Sequence, residues 1–211
     1  MNERPRIPRQ NAEAVAVLLI EKLAPFCERI EVAGSIRRKM NTVKDIEIVA
    51  IPRTETPQLG LFGDPGEPIS LLKQKLDSLV LDGWLEKRTD DDGKQRWGEK
   101  HQRALFHAPS GPIGIDFFGV LPPAQWGVIF AIRTGNYEFS RNLVTSQFHG
   151  GRMPDGLRVS DGALWRVAED RETKLGVVHT PEEKDFFEAI GWPDYPAPEA
   201  RFFEDTKGTR P

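Results

Sequence analysis

The sequence predicts an α+β fold in which a mixed or antiparallel sheet carries helices on one face. Apolar residues recur at helical spacing in 11–26 and 70–82, which predicts two helices. Short apolar or alternating runs in 30–52 and 112–120 predict strands, and alternating segments separated by Asp-Gly pairs in 153–178 predict a second, small antiparallel sheet.

The first helix is expected to begin with Asn11 as its N-cap and to present Val15, Leu19, Leu23 and Phe26 on one face. Cys27 follows in an apolar neighbourhood. As the one cysteine of 211 residues it excludes an internal disulfide, and we interpret it as a small core residue.

Residues 53–69 contain three prolines and three glycines without a helical or strand period, which predicts a surface loop. The helix that follows, 70–82, is predicted by the spacing of Leu72, Leu76 and Leu79. Gly83 is expected to end it.

Two carboxylates lie one residue apart at the start of the predicted strand 45–52. Because side chains alternate faces along a strand, Asp45 and Glu47 point away from the buried face that carries Ile46 and Ile48. Two anions held roughly 7 Å apart at Cα repel unless a cation neutralises them, and Mg²⁺ prefers such oxygen ligands. Taken alone, these residues fit the solvent face of an edge strand equally well.

A third carboxylate, Asp116, lies in the middle of the apolar run 112–120. An unpaired aspartate in a buried strand is costly, so it needs a partner, and a metal ion shared with Asp45 and Glu47 would be one. Three carboxylates from two strands predict a site that holds two cations for phosphoryl transfer. All three are therefore candidate metal ligands and catalytic residues.

The segment before the carboxylate strand predicts a phosphate-binding loop. Gly34 lets the backbone approach an anion closely, and Ser35 offers hydroxyl and N–H donors. Arg38 adds a planar donor suited to phosphate, and Lys44 is expected to contact a triphosphate or to pair with a carboxylate. The net charge is −3, but residues 1–44 hold nine Lys or Arg against five Asp or Glu, so modest, salt-dependent DNA affinity is expected.

Residues 84–107 alternate around the run Asp-Asp-Asp-Gly at 90–93. Because Asp-Gly between alternating segments is typical of a hairpin, we interpret the aspartates as a turn rather than as metal ligands. Lys100 and Arg103 follow, and they fit either a phosphate contact or a solvated hairpin face. The four histidines show no metal-ligand spacing.

The C-terminal half predicts helices at 125–132 and 137–148, separated by Thr134 and Gly135. The run Thr-Pro-Glu-Glu at 180–183 is typical of a capping box with proline at the first helical position, so a helix is predicted from there to Gly191. Its predicted core face comprises Phe186, Phe187 and Ile190.

Several of these motifs together resemble the signature of the family X DNA polymerases, the DNA polymerase beta superfamily of nucleotidyltransferases. The motifs are Gly-Ser-Ile-Arg-Arg at 34–38, Asp-Ile-Glu at 45–47, Ile-Asp-Phe at 115–117, Ile-Arg-Thr-Gly at 132–135, Phe-Ser-Arg-Asn-Leu at 139–143, and the stretches 180–191 and 196–201. A Gly-Ser and Asp-x-Glu pair is similar to nucleotidyltransferases in general. The Thr-Gly and C-terminal motifs resemble the polymerase branch.

The resemblance implies an N-terminal helix and catalytic palm in 1–121 and a thumb in 122–211, with no room for the N-terminal lyase domain of larger members. It implies that Asp116 lies nearest the primer. It also places Thr134, Gly135 and Tyr137 at the incoming nucleoside triphosphate, and it places Arg141 near the template.

The expected cofactors are two Mg²⁺ ions, for which Mn²⁺ can substitute, and the expected partners are gapped or primer–template DNA and nucleoside triphosphates. No apolar run is long enough to span a bilayer and no charged-then-apolar leader opens the chain. A cytoplasmic monomer without a membrane partner is therefore expected.

The sequence departs from the family pattern in four ways. Glu47 stands where the second aspartate usually lies, and Lys44 replaces a small residue. Ile132 and Arg133 occupy the place of an aromatic pair that helps to exclude the ribose 2′-hydroxyl, and Val144 replaces an arginine that contacts the template strand. The family also carries a cis peptide after Thr-Gly, which predicts a cis bond at Gly135–Asn136.

The leading function is a metal-dependent DNA polymerase that fills short gaps in DNA repair or replication, by attack of a primer 3′-hydroxyl on the nucleotide's α-phosphate. The alternative is a template-independent nucleotidyltransferase acting on DNA, RNA or protein, which Val144 favours and the thumb motifs oppose. A third class, a non-catalytic DNA-end-binding accessory, is disfavoured by the complete set of carboxylates.

Overall fold

The computed structural model describes residues 6–59, 64–90, 92–109 and 111–203, and it confirms the α+β class. In these residues the α-helices are α1 (Arg9–Leu23), α2 (Gly34–Arg37), α3 (Leu71–Leu81), α4 (Trp126–Thr134), α5 (Tyr137–Val144) and α6 (Glu183–Ala189). The strands are β1 (Ile7–Pro8), β2 (Cys27–Val32), β3 (Thr42–Val43), β4 (Asp45–Pro52), β5 (Thr54–Glu55), β6 (Gln58–Leu59), β7 (Asp64–Pro65), β8 (Ile69–Ser70), β9 (Glu86–Lys87), β10 (His101–Ala108), β11 (Gly111–Gly119), β12 (Leu157–Ser160), β13 (Ala163–Val167) and β14 (Lys174–Val178).

Contacts divide the chain into two compact units. The first is drawn from Met1–Val32 and Asn41–Gly119, and the second from Ala33–Met40 and Val120–Pro211. The segment Ala33–Met40, which carries the Gly-Ser motif, thus belongs with the C-terminal half of the chain. The identification of these units as a palm and a thumb stays a prediction.

The first unit is built on a mixed five-stranded sheet with the strand order β2-β4-β11-β10-β9. β4 and β11 are parallel, whereas the other neighbouring strands are antiparallel. The helices α1 and α3 both lie against β4, and the side chains of Ile46 and Ile48 are fully buried. Asp45 and Glu47 are half-buried on the opposite side of the strand, as the alternation predicts.

The helix α1 begins two residues before the predicted start. Pro8 is its N-cap and makes no side-chain cap hydrogen bond, so the prediction of Asn11 as the cap is wrong. The buried stripe is Ala12, Ala16, Leu19 and Leu23, rather than one that includes Val15. Small residues at the first two positions leave room for the helix to approach its neighbours closely.

Around α3 the sequence predicted the helix better than the segment before it. Ser70 caps α3 by accepting a hydrogen bond from the Lys73 N–H at 3.2 Å, and Gly83 follows with a positive φ of 74°. In the predicted loop, β5 pairs with β8 and β6 with β7, so the prediction of no strand there is wrong. Residues 60–63 of that prediction lie outside the described residues.

The second unit contains the three-stranded antiparallel sheet β12-β13-β14, which confirms the prediction for 153–178. The helix α4 contacts α5, α6 and β13. The predicted core face of α6 is confirmed, because Phe186, Phe187 and Ile190 are all buried. They pack in one cluster with Val128, Ala131, Phe139, Leu143, Met153 and Leu164.

The start of α6 differs from the predicted capping box. Glu182 is the N-cap and Asp185 completes the box, so the prediction that Thr180 caps the helix is wrong. Thr180 is instead fully buried, and its carbonyl accepts the Gly127 N–H of α4 at 3.0 Å. In the described part of the chain, no helix combines the length and the apolar character that crossing a bilayer requires.

Candidate active site

The register of two parallel strands places the three predicted carboxylates on one face of the first unit's sheet. In the β4–β11 ladder Asp116 is the partner of Glu47, and Gly114 is the partner of Asp45. Partners in a parallel ladder point their side chains to the same face, and Asp45 shares that face with Glu47 two residues on. Asp116 is 6% exposed and the other two are half-buried.

Asp116 has two arginine partners. The Nε of Arg103 donates to Asp116 Oδ1 at 2.7 Å, and the Nη2 of Arg103 lies 3.3 Å from Oδ2. Arg88 Nη2 donates to the same Oδ1 at 3.2 Å. The sequence indicated that a buried aspartate here needs a partner and predicted a shared metal ion in that role, but it did not indicate that the protein supplies two arginines.

These partners outweigh the effect of burial on the Asp116 carboxyl. Burial alone raises its pKa, whereas the contacts with His101 and Arg103 and the charges of Arg88 and Arg103 lower it, so that the pKa falls from 3.8 to about 2. His101 Nε2 lies 3.9 Å from Asp116 Oδ1, which is too long for a hydrogen bond. Asp116 is therefore held in its ionised form.

Asp90 extends the same charge cluster. Its Oδ1 accepts from Arg103 Nη1 at 2.6 Å and its Oδ2 accepts from Arg96 Nε at 2.7 Å, while Arg88 Nε lies 3.7 Å away. The predicted turn is supported by the Gly93 N–H, which donates to the Asp90 carbonyl at 2.9 Å. Asp91 lies outside the described residues.

The side chain of Asp90 is thus part of the sheet's charge cluster as well as of the turn. The interpretation of Arg103 as a phosphate contact or a solvated hairpin residue has to be replaced, because its guanidinium is bound by two aspartates. A sequence signal existed: Arg103 lies on a strand directly before the Asp116 strand, where a hairpin register can bring the two side by side.

The three carboxylates fit Mg²⁺ by donor chemistry and by the face they share, since hard divalent cations prefer carboxylate oxygens. Asp116 Oδ2 accepts one long hydrogen bond, so it retains acceptor capacity for a cation. Among residues 6–59, 64–90, 92–109 and 111–203, no three His, Cys, Asp or Glu side chains converge as a ready-made metal site. Asp45, Glu47 and Asp116 stay the candidate ligands because of their donor chemistry and their shared face, and the guanidinium of Arg103 contacts Asp116.

The predicted phosphate-binding residues Gly34 and Ser35 lie in the second unit. They form one turn of helix, α2, rather than an open loop: the Arg38 N–H donates to the Gly34 carbonyl at 3.1 Å. Gly34 is buried with a φ of 60°, a backbone conformation that favours glycine, and Ser35 is half-buried. In the first unit, Lys44 directly precedes β4 and is exposed.

Two arginines from the motif at 34–38 bind the end of α4. Arg37 Nη1 donates to Thr134 Oγ1 at 2.5 Å, and Arg38 Nη1 donates to the Thr134 carbonyl at 2.5 Å. The Thr134 hydroxyl also donates to the Phe130 carbonyl at 2.7 Å, and Thr134 is fully buried. In this structure, Arg38 and Thr134 therefore join two segments of the second unit.

The peptide bond Gly135–Asn136 is trans, so the prediction of a cis bond is wrong; within the described residues the cis bond lies at Pro122–Pro123. Asn136 caps α5, because its Oδ1 accepts the Phe139 N–H at 3.0 Å. The predicted nucleotide and template residues Tyr137 and Arg141 both lie on α5 and are exposed, and Tyr137 is 69% exposed.

Sequence reasoning missed a buried cluster in the second unit, formed by Arg37, Glu183 and Arg201. Arg37 donates two parallel bonds to Glu183 at 2.7 and 2.8 Å, and Arg201 donates to both oxygens of the same carboxylate. Burial raises the pKa of Glu183, but the hydrogen bonds and charges of the two arginines lower it by a larger amount, so the net shift of the pKa is downward. The three charged residues come from distant parts of the sequence and gave no periodic signal.

No protein-family model matches the chain, and no curated protein sequence matches it. The resemblance to the family X polymerases therefore rests on the motifs alone. The geometry adds the shared face of the carboxylates and the arginines that hold one of them.

Proposed function

We propose that this protein is a metal-dependent nucleotidyltransferase that adds nucleotides to the 3′-hydroxyl of a DNA primer and fills short gaps. The observation that supports it best is the β4–β11 register, which aligns Asp116 with Glu47 and keeps Asp45 on the same face. Their alignment is what a divalent-cation site requires.

In this function Asp45, Glu47 and Asp116 hold Mg²⁺, with Mn²⁺ as a substitute. The bound cations would neutralise charge on the transferring phosphate and lower the pKa of the attacking hydroxyl. Asp116 is supplied in its ionised form because Arg88 and Arg103 stabilise the negative charge. The side chain of Glu47 is one methylene longer than that of an aspartate, so its carboxylate can lie further from the strand backbone.

The decisive experiment is extension of a duplex with a one-nucleotide gap, using each of the four nucleotides in both sugar forms, with Mg²⁺ and with EDTA. Templated, metal-dependent addition of one nucleotide supports the proposal. Absence of transfer with any nucleotide, DNA end or divalent cation contradicts it. The assay also measures the sugar preference, which Ile132 and Arg133 leave open.

The second candidate is a template-independent nucleotidyltransferase. Two observations favour it: Val144, 39% exposed, offers no charge to a template strand, and the Gly135–Asn136 bond lacks the cis geometry expected of the polymerase family. Extension of a single-stranded primer at the rate seen on the gapped duplex would support this candidate. A rate that depends on the templating base would exclude it.

A further inference from the structure

The guanidinium of Arg103 lies among the acidic side chains of the first unit. Its Nε and Nη2 face Asp116, at 2.7 and 3.3 Å, and its Nη1 donates to Asp90 at 2.6 Å. Burial lowers the pKa of Arg103, but the hydrogen bond with Asp116 and the charges of the nearby aspartates raise it, so the net shift is upward. The positive charge of Arg103 thus lies at the carboxylate of Asp116, where the proposed metal ion would bind.

We propose that Arg103 is a positioning residue that holds Asp116 in place before a divalent cation binds, and that cation binding shifts its guanidinium from Asp116 to Asp90. This inference rests on the proposed function, since it assumes that Asp116 takes a divalent cation. It goes further by assigning the two residues that set the affinity for that cation.

The two-sided contact of Arg103 makes the exchange possible. If Arg103 bonded to Asp116 alone, a cation at Asp116 would leave a guanidinium without its acceptor, which is costly in a partly buried site. Asp90 already accepts one N–H of Arg103, and its side chain is 10% exposed, so it is held ready as the remaining acceptor. No charge has to be created or lost, because the guanidinium exchanges one carboxylate for another.

Arg88 is less suited to this exchange than Arg103. Its side chain is 6% exposed, against 22% for Arg103, and it meets Asp116 through one bond at 3.2 Å. Arg103 has both the stronger contact and the greater freedom to move. We therefore assign the exchange to Arg103 and a fixed supporting role to Arg88.

The inference predicts opposite effects for two substitutions on Mn²⁺ binding to the nucleotide-free protein, measured from the free Mn²⁺ signal in electron paramagnetic resonance. Arg103→Gln removes the competing cation and is expected to tighten binding by about tenfold, because a like charge a few ångströms from the ion is removed. Asp90→Asn removes the negative charge of the second acceptor, keeps Arg103 on Asp116, and is expected to weaken binding several-fold. Arg103→Lys retains the charge and is expected to bind Mn²⁺ close to the wild-type affinity.

Arg29→Gln is the matched control. It breaks an arginine–carboxylate pair on the same sheet, the 2.8 Å contact of Arg29 with Glu31 on β2, and is expected to leave the Mn²⁺ affinity within about twofold of wild type, the scale of a weak exposed pair. Thermal denaturation of every variant shows whether it is folded.

A purely structural role would lower the stability of both Arg103→Gln and Asp90→Asn and would not shift their affinities in opposite directions. Shifts in the same direction, or none in either variant, overturn the inference. If the wild type transfers nucleotides while the two variants bind Mn²⁺ as it does, the inference fails and the proposed function stands. If the wild type neither binds Mn²⁺ nor transfers nucleotides, both fail.

Discussion

Arg37 and Glu183 are 146 residues apart in sequence, yet they form a two-bond ion pair at 2.7 and 2.8 Å within the second unit. The guanidinium of Arg37 also lies 3.9 Å from the centre of the Phe130 ring. Since Arg37 belongs to the motif at 34–38, this pair fixes that motif to the C-terminal half of the chain. The pair therefore has a structural role that its position beside a predicted phosphate site did not indicate.

We expect Glu183→Gln to destabilise the protein by about 3 to 5 kcal/mol, because it leaves Arg37 and Arg201 with no carboxylate partner in a buried site. Glu183 is 9% exposed and Arg201 is 1% exposed, so water does not replace the lost contacts easily. Urea denaturation followed by circular dichroism measures the change in unfolding free energy.

The control for that substitution is Glu199→Gln, which breaks an exposed ion pair with Lys39 in the same unit. No measurable change in the denaturation midpoint is expected there, as for most exposed pairs. A loss at Glu183 that is no larger than the loss at Glu199 would show that Arg37 and Arg201 find other partners.

The same carboxylate predicts a dependence of stability on pH. The pKa of Glu183 in the folded protein lies below the ordinary glutamate value of 4.5, so its ionised form stabilises the fold above that pH. This contribution is lost as the pH falls below 4.5 toward the folded pKa. The difference in unfolding free energy between wild type and Glu183→Gln should therefore be full at neutral pH and should shrink on acidification; a difference that grows toward low pH would contradict the assignment.

The candidate ligands differ in how far a substitution tests metal binding without also changing stability. Asp45→Asn changes a half-buried side chain, and we expect it to lower the transfer rate by about a thousandfold or more while the fold is retained, because charge stabilisation by a metal is worth several kcal/mol. Primer extension at saturating Mg²⁺ measures the rate, and circular dichroism checks the fold. A rate near that of wild type would remove Asp45 from the ligand set.

Asp116→Ala is a less direct test, because it also leaves Arg88 and Arg103 without their shared partner. We expect loss of transfer together with a lower denaturation midpoint. Glu47→Asp is the conservative variant, and it is expected to keep measurable transfer with a changed preference between Mg²⁺ and Mn²⁺. Complete loss in Glu47→Asp would mean that the longer side chain is required.

Two patterns that follow a fixed period were read correctly from the sequence, whereas the buried face of α1 was predicted only in part. The alternation that placed Asp45 and Glu47 opposite Ile46 and Ile48 follows from strand geometry alone, and so does the buried face of α6. The third carboxylate was found because a single charge stood in an apolar run. The shared face needed one further fact, the β4–β11 register, which no local pattern encodes.

Contacts between distant segments could not be predicted in the same way. Arg103 bonds to Asp90 as well as to Asp116, which depends on a turn geometry, and Arg37 reaches Glu183 across most of the chain. The wrong cap at Thr180 has a similar origin: its local sequence fits a helix start, but Thr180 is used to bind α4 instead. Tertiary contacts decided each of these positions against the local signal.

The packing between α4 and the segment before α6 gives a last prediction, at Gly127. A Cβ at this position would lie 2.2 Å from the Glu182 carbonyl oxygen and 2.7 Å from that of Thr180. Both are backbone atoms that cannot rotate away, so Gly127→Ala is expected to destabilise the protein by about 3 kcal/mol, at the upper end of overpacking effects.

Gly176→Ala is the matched control, since a Cβ there meets no atom within 4 Å. Because glycine weakens a strand interior, Gly176→Ala should leave stability unchanged or raise it slightly. Urea denaturation of the two variants measures both changes in unfolding free energy. An equal effect at both positions would mean that α4 and the segment before α6 can separate without cost. We do not expect this, because a backbone hydrogen bond of 3.0 Å joins the two segments.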